Sequence, residues 1–116
     1  MTKVLVVDDE EPIRKLISIV LEHEGYAVVE AAHGMEALAV LPHEQPQLVL
    51  MDIMMPVLDG RETFRRMRAV PELRHVPVVL MSAADLAPID DSVSGFLAKP
   101  FRLSELLSIV NSALGT

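Results

Sequence analysis

Five short apolar runs punctuate the chain, and helical spacing fills the gaps between them. The runs cover residues 3–7, 26–31, 48–51, 78–81 and 95–98, each closed by a polar residue or a turn signal. Short continuous apolar runs bounded in this way read as buried strands. After the first run, Ile13, Leu16, Ile17, Val20 and Leu21 recur at helical spacing, with Pro12 at the opening and Gly25 at the end. A short helix is predicted over 34–41, with Met35, Leu38 and Ala39 on one face. Pro42 and Pro46 then bracket a loop. Asp59-Gly60 signals a turn into a third helix over 61–70, with Phe64 and Met67 inward. Pro71 and Pro77 flank an irregular connection. A short fourth helix, weakened by Pro88, is expected over 85–93. The last helix, over 104–114, turns Leu106, Leu107, Val110 and Leu114 inward, and Leu103 and Ile109 widen its apolar surface.

Strand and helix thus alternate five times. That alternation predicts a doubly wound α/β fold, a five-stranded parallel sheet with helices on both faces. Right-handed crossovers restrict the topology further. The flavodoxin-like order 2-1-3-4-5 would place the first and third strands side by side, with a ligand crevice between them.

Composition agrees with this picture and narrows the function. A chain of 116 residues fits one domain, taken as residues 1–116, and 51% hydrophobic residues are enough for a packed core. Aromatics are only 3%, so the core is aliphatic. The net charge of −7 argues against direct nucleic-acid binding, which needs Lys and Arg to neutralise phosphates. Without cysteine there are no disulfides or thiolate metal sites. No signal peptide and no apolar run of membrane-spanning length is seen, so the expectation is a cytoplasmic protein without membrane contact.

In a parallel sheet every C-terminal strand end lies on one edge. Asp8 and Asp9 follow the first strand, Asp52 ends the third, Ser82 the fourth and Lys99 the fifth. Carboxylates gathered there repel, by about 4 kcal/mol for two charges ~4 Å apart at an effective dielectric of ~20. A hard cation such as Mg2+ offsets this, because it takes oxygen ligands and suits carboxylates beside a phosphate. Lys99 adds a point charge and Ser82 a hydroxyl. Such a set needs only positioning and charge neutralisation to transfer a phosphoryl group, with Asp52 as nucleophile.

The segments Val4-Leu5-Val6-Val7-Asp8-Asp9, Met51-Asp52-Ile53-Met54-Met55-Pro56, Asp59-Gly60, Met81-Ser82-Ala83 and Gly95-Phe96-Leu97-Ala98-Lys99-Pro100-Phe101 carry a resemblance. Together they resemble the CheY-like receiver domain of two-component response regulators, over essentially the whole chain. The resemblance implies that Asp52 accepts a phosphoryl group from a phosphohistidine of a partner histidine kinase or phosphotransfer protein. It implies Asp9, Asp52 and the Met54 backbone carbonyl as direct Mg2+ ligands, with Asp8 acting through water. It gives Ser82 a bond to a phosphoryl oxygen, pairs Lys99 with the phosphate, and suggests a cis Lys99-Pro100 bond. Phe96 falls at the aromatic switch position, moving with Ser82 to alter a protein-interaction surface. Phe96 lacks a tyrosine hydroxyl and is therefore expected to be largely buried.

One departure is the spacing of 17 between Ser82 and Lys99, shorter than the family's habit, with the loss falling in the fourth helix. Taken singly, each signal has a plainer meaning. Asp8-Asp9 can be a solvated helix start, Ser82 a cap, Lys99 a surface lysine, and Met54 and Met55 loop filler. His23, His33, His43 and His75 show no metal spacing and read as surface residues, and Asp90-Asp91 as a solvated loop. Two other functions compete. A phosphorylation-independent docking module would keep the fold without the chemistry. An aspartate-nucleophile phosphohydrolase usually has a second acid two residues on, where this chain has Met54. No glycine-rich loop follows the first strand, which weighs against nucleotide binding. No output domain follows Gly115-Thr116 in this sequence, so the expectation is a stand-alone receiver or part of a longer chain, acting on a downstream protein or output domain. Dimerisation on phosphorylation through the last helix stays open.

Overall fold

The computed structural model describes residues 1–83 and 92–115. Its strands are β1 (Lys3–Val7), β2 (Ala27–Ala31), β3 (Leu48–Asp52), β4 (Val78–Ser82) and β5 (Gly95–Ala98). They form one parallel sheet in the order β2-β1-β3-β4-β5. The helices among the described residues are α1 (Glu11–His23), α2 (Gly34–Glu44), α3 (Gly60–Ala69) and α4 (Leu103–Leu114), with a 3-10 turn at Pro71–Leu73. The helix expected over 85–93 falls outside the described residues except for Ser92 and Val93.

The continuous apolar runs follow from the sheet's two covered faces. Side chains alternate along a strand. Leu5, Val7, Val49, Met51, Val78 and Leu80 pack with Ala37 and Leu41 of α2 and Phe64 and Met67 of α3. Val4, Val6, Leu48, Leu50, Val79 and Met81 pack with Ile17 and Leu21 of α1 and Leu106 and Val110 of α4. Every position of β3 and β4 is buried, so neither strand has room for a polar face.

Several local expectations need correction. α2 does not stop at Leu41; it runs through Pro42 to Glu44 and closes on Gln45 in the left-handed region. Pro42 removes one helical donor near the end, and the exposed final turn tolerates this because Leu41 stays buried. The inward face of α2 is set by Ala37 and Leu41, while Met35 is 47% exposed. On α1, Leu16 is 47% exposed rather than inward, because Ile17 and Leu21 already fill the contact with the sheet. His33 is only half-buried and caps α2, its Nδ1 accepting from the Glu36 amide at 3.2 Å. Met55 belongs to the core, whereas Met54 is exposed.

Close packing of α2 against α3 depends on Gly34. A Cβ there would lie 2.1 Å from Thr63 Oγ1 and 2.8 Å from the Leu58 carbonyl oxygen. Thr63 is fully buried and donates to the Asp59 carbonyl at 2.8 Å, so it has little freedom to yield. Gly34→Ala is expected to cost about 1–3 kcal/mol by overpacking. Urea unfolding checks this: the midpoint should fall with an unchanged slope, and an unaltered midpoint would show that the contact relaxes freely.

Candidate functional site

The acidic rim grows directly out of the strand ends. Asp52 is the last residue of β3, and Asp8 and Lys99 stand one residue past β1 and β5. By strand alternation Asp52 continues the side of Leu48 and Leu50, and Asp8 that of Val4 and Val6, the face covered by α1 and α4. The chain then leaves the sheet, so the carboxylates sit at the boundary between core and solvent.

Lys99 is the hub of the group. Its Nζ lies 2.6 Å from Asp8 Oδ2, 3.6 Å from Asp52 Oδ2 and 3.6 Å from Glu10 Oε1. The Asp8 side chain is fully buried, and its other oxygen accepts from the Glu10 amide at 2.9 Å. Asp52 and Ser82 are buried as well. The Lys99 amide donates to the Ser82 carbonyl at 2.8 Å, which ties β5 to β4 beside the rim. The Lys99-Pro100 peptide is cis.

One oxygen from each of Asp8, Glu10 and Asp52 falls within 4.8 Å of the others, a spacing that suits a divalent cation. All three donors are hard oxygens, as Mg2+ or Ca2+ prefers. Asp52 and Asp8 are common to this group and to the set expected from sequence; Asp9, exposed like Glu10, still acts on the Asp52 carboxyl through its charge. Glu10 was missed. Its signal was the turn of α1: the residue just before Glu11–His23 sits over the strand end. Of the acids that follow β1, Asp8 is buried while Asp9 and Glu10 are exposed, Glu10 reaching back to within 3.6 Å of Lys99 Nζ.

The loop after Asp52 is tightly held. Gly60 sits so close that a Cβ would lie 2.3 Å from the Asp52 carbonyl oxygen, and its amide donates to Ile53 at 2.9 Å. Between them Val57 has φ +70, and the Leu58 amide donates across it to the Pro56 carbonyl at 2.7 Å. That is a γ-turn of the rarer hand, strained for a β-branched residue by about 1–3 kcal/mol. Val57 is 90% exposed. Phe96, expected largely buried, is only half-buried, packed against the α2 and α3 side of the sheet.

Charge balance sets the ionisation of the rim. Burial pushes the Asp52 carboxyl up; Lys99 pulls it down, Asp8 pushes it up, the Met54 amide bond lowers it and Asp9 raises it. The result is a pKa raised to about 6. For Lys99, burial favours the neutral form, but the Asp8 hydrogen bond and the charges of Asp8, Asp52 and Glu10 outweigh it and hold the ammonium above its usual range. Lys99 therefore stays charged.

An acid whose folded pKa is raised destabilises the fold once ionised. Its favourable contribution is complete below about pH 4, is lost as pH rises to about 6, and is flat beyond. The interval from 3.8 to about 6 corresponds to about 3 kcal/mol. With divalent cations chelated, Asp52→Asn should be more stable than wild type at pH 8 by up to about 3 kcal/mol, the gap shrinking towards pH 4. Urea unfolding across this range checks it; a gap independent of pH contradicts the assignment.

Comparisons with known proteins agree with this fold. The profile of the response regulator receiver domain matches residues 4–111. The transcriptional regulatory protein YkoG of Bacillus subtilis is 36% identical over 116 residues, covering 96% of this chain and 50% of its own length. The DNA-binding regulator RpaA of Synechocystis is 35% identical, covering 98% and 49%. The chain thus spans about half the length of these curated relatives. Among solved structures, the chemotaxis protein CheY4 of Vibrio cholerae superposes with a TM-score of 0.91 at 31% identity, covering 98% of this chain and 99% of its own. The receiver domain of the Pseudomonas aeruginosa histidine kinase PA1611, which holds a magnesium ion in its active-site cleft, gives 0.89 at 30%, covering 99% and 98%. With that profile matched over residues 4–111 and these relatives above 30% identity, the chain belongs to the response regulator receiver domain family.

Proposed function

We propose that this domain, spanning residues 1–116, accepts a phosphoryl group on Asp52 in a Mg2+-dependent reaction and thereby switches a protein-interaction surface. The observation that carries the reading is one ammonium group, Lys99 Nζ, within 3.6 Å of carboxylates from two separate strand ends, with oxygens of Asp8, Glu10 and Asp52 within 4.8 Å of one another. A scaffold without this chemistry has no need to bury two like charges, Asp8 and Asp52, around one lysine.

The donor is a phosphohistidine on a sensor kinase or phosphotransfer protein. The Asp52 carboxylate attacks phosphorus, the P–N bond breaks, and its electron pair returns to the imidazole nitrogen. The new acyl phosphate adds about 1.5 to 2 negative charges to a rim that is already acidic. Lys99 is the fixed cation that meets it, and Ser82 supplies a hydroxyl at the next strand end. Asp8, Glu10 and Asp52 would offer oxygen donors to Mg2+, and the family resemblance adds Asp9 and the Met54 carbonyl to the residues that would hold it. The cation, when bound, neutralises charge on the transferred group.

The switch runs through Ser82 and Phe96, whose ring is half-buried against the α2 and α3 side of the sheet. Equalising and then reversing a 1:99 population takes about 5.5 kcal/mol, within reach of several charge-assisted contacts. The output is a protein contact, made to a downstream protein or an attached domain, without direct nucleic-acid binding by this domain.

Incubation with Mg2+ and a small phosphodonor should produce one hydroxylamine-labile phosphate per chain. The label should be absent in Asp52→Asn and lost on chelation. Equal labelling of Asp52→Asn would refute the assignment.

A further inference from the structure

We infer that Arg14 is a positioning residue for the acidic rim: its guanidinium fixes the backbone of Asp8, and so keeps the Asp8 and Glu10 carboxylates turned towards Asp52 and Lys99. β1 pairs with both neighbours only as far as Val7. The Asp8 carbonyl therefore lies just past the ladder, in a buried residue, and must find a partner elsewhere. Arg14 Nη1 supplies it at 2.7 Å. The same guanidinium donates through Nε to Glu30 Oε1 at 2.9 Å, and the Arg14 side chain is only 12% exposed.

Glu30 lies on β2, paired in register with Val6. Lys15 holds its second oxygen at 3.2 Å. Burial raises the Glu30 carboxyl, but bonds from Arg14, Lys15 and Ser18 outweigh this and keep it below its usual range. Glu30 thus stays a charged anchor for Arg14. Every polar group of Asp8 is then committed: its amide to Ala31 at 3.1 Å, its carbonyl to Arg14, and its carboxylate to the Glu10 amide and Lys99. Arg14 touches neither Asp52 nor Lys99 and acts through Asp8. Only a planar fork can bond the carbonyl and the Glu30 carboxylate at once; an ammonium on a flexible stem cannot.

The test uses the whole chain as wild type, Arg14→Met and Arg14→Lys, each first shown to be folded. In chelator, the Lys99 ammonium signal in nitrogen-15 NMR should be protected in wild type, where its Nζ is held by Asp8. In Arg14→Met its exchange with water should accelerate by about ten-fold, with Arg14→Lys between the two. A purely structural Arg14 would lower the thermal midpoint and leave this exchange unchanged, which overturns the inference. The second readout rests on the phosphoryl-transfer reading: calorimetric Mg2+ affinity should weaken by about ten-fold in Arg14→Met, the scale seen when residues supporting a ligand are removed. A wild type that fails to bind Mg2+ sinks that reading, while the Lys99 exchange still judges Arg14. Should Arg14→Met fail to fold, Glu30→Gln loosens the guanidinium without removing it. It should accelerate the exchange in the same direction, and no acceleration overturns the inference.

Discussion

The structure turns on one buried ion pair, Lys99 with Asp8 at 2.6 Å. A carboxylate with no solvent exposure is costly unless it is paired and fully bonded. Here it is both, and the same ammonium reaches two more acids. The pair therefore makes a cluster of negative charge compatible with a folded sheet. It also closes the fold, since Asp8 and Lys99 are separated by 91 residues and stand on opposite sides of β3 and β4.

That arrangement is prepared for more charge rather than for neutrality. Three carboxylates share one lysine, Asp52 titrates only near pH 6, and burial is the main reason. The local excess is what a divalent cation or a phosphoryl group with its counter-ion can relieve. Around it the backbone is unusually constrained: Gly60 leaves no space for a side chain against Asp52, and Val57 holds a strained turn five residues on. The rigid sheet supplies position, and the rim supplies an unmet electrostatic demand.

Much of this was legible in the residues themselves. Runs such as Leu48-Val49-Leu50-Met51 are apolar on both parities because both faces of the sheet are covered, and that alone indicates a doubly wound architecture. Asp52, Ser82 and Lys99 were readable as strand-end residues. Other features depend on tertiary context. That Asp8 is buried while Asp9 and Glu10 stay exposed depends on how the chain leaves β1 for α1, which no side-chain pattern records. Leu16 and Ile17 are both apolar, and only packing decides that Leu16 stays exposed. The persistence of α2 through Pro42 depends on Leu41 being anchored, and the role of Arg14 depends on a carbonyl orphaned by the end of the ladder.

The central claim is that Lys99 offsets the charge of the acidic rim. It is tested most directly by replacing Lys99 with Met and measuring urea unfolding at neutral pH in chelator and then in millimolar magnesium. Breaking a buried pair by removing one partner costs about 3–5 kcal/mol. A loss of that order is expected in chelator, with magnesium restoring more stability to the variant than to wild type. A variant within about 0.5 kcal/mol of wild type in chelator, a difference typical of neutral surface changes, would contradict the account.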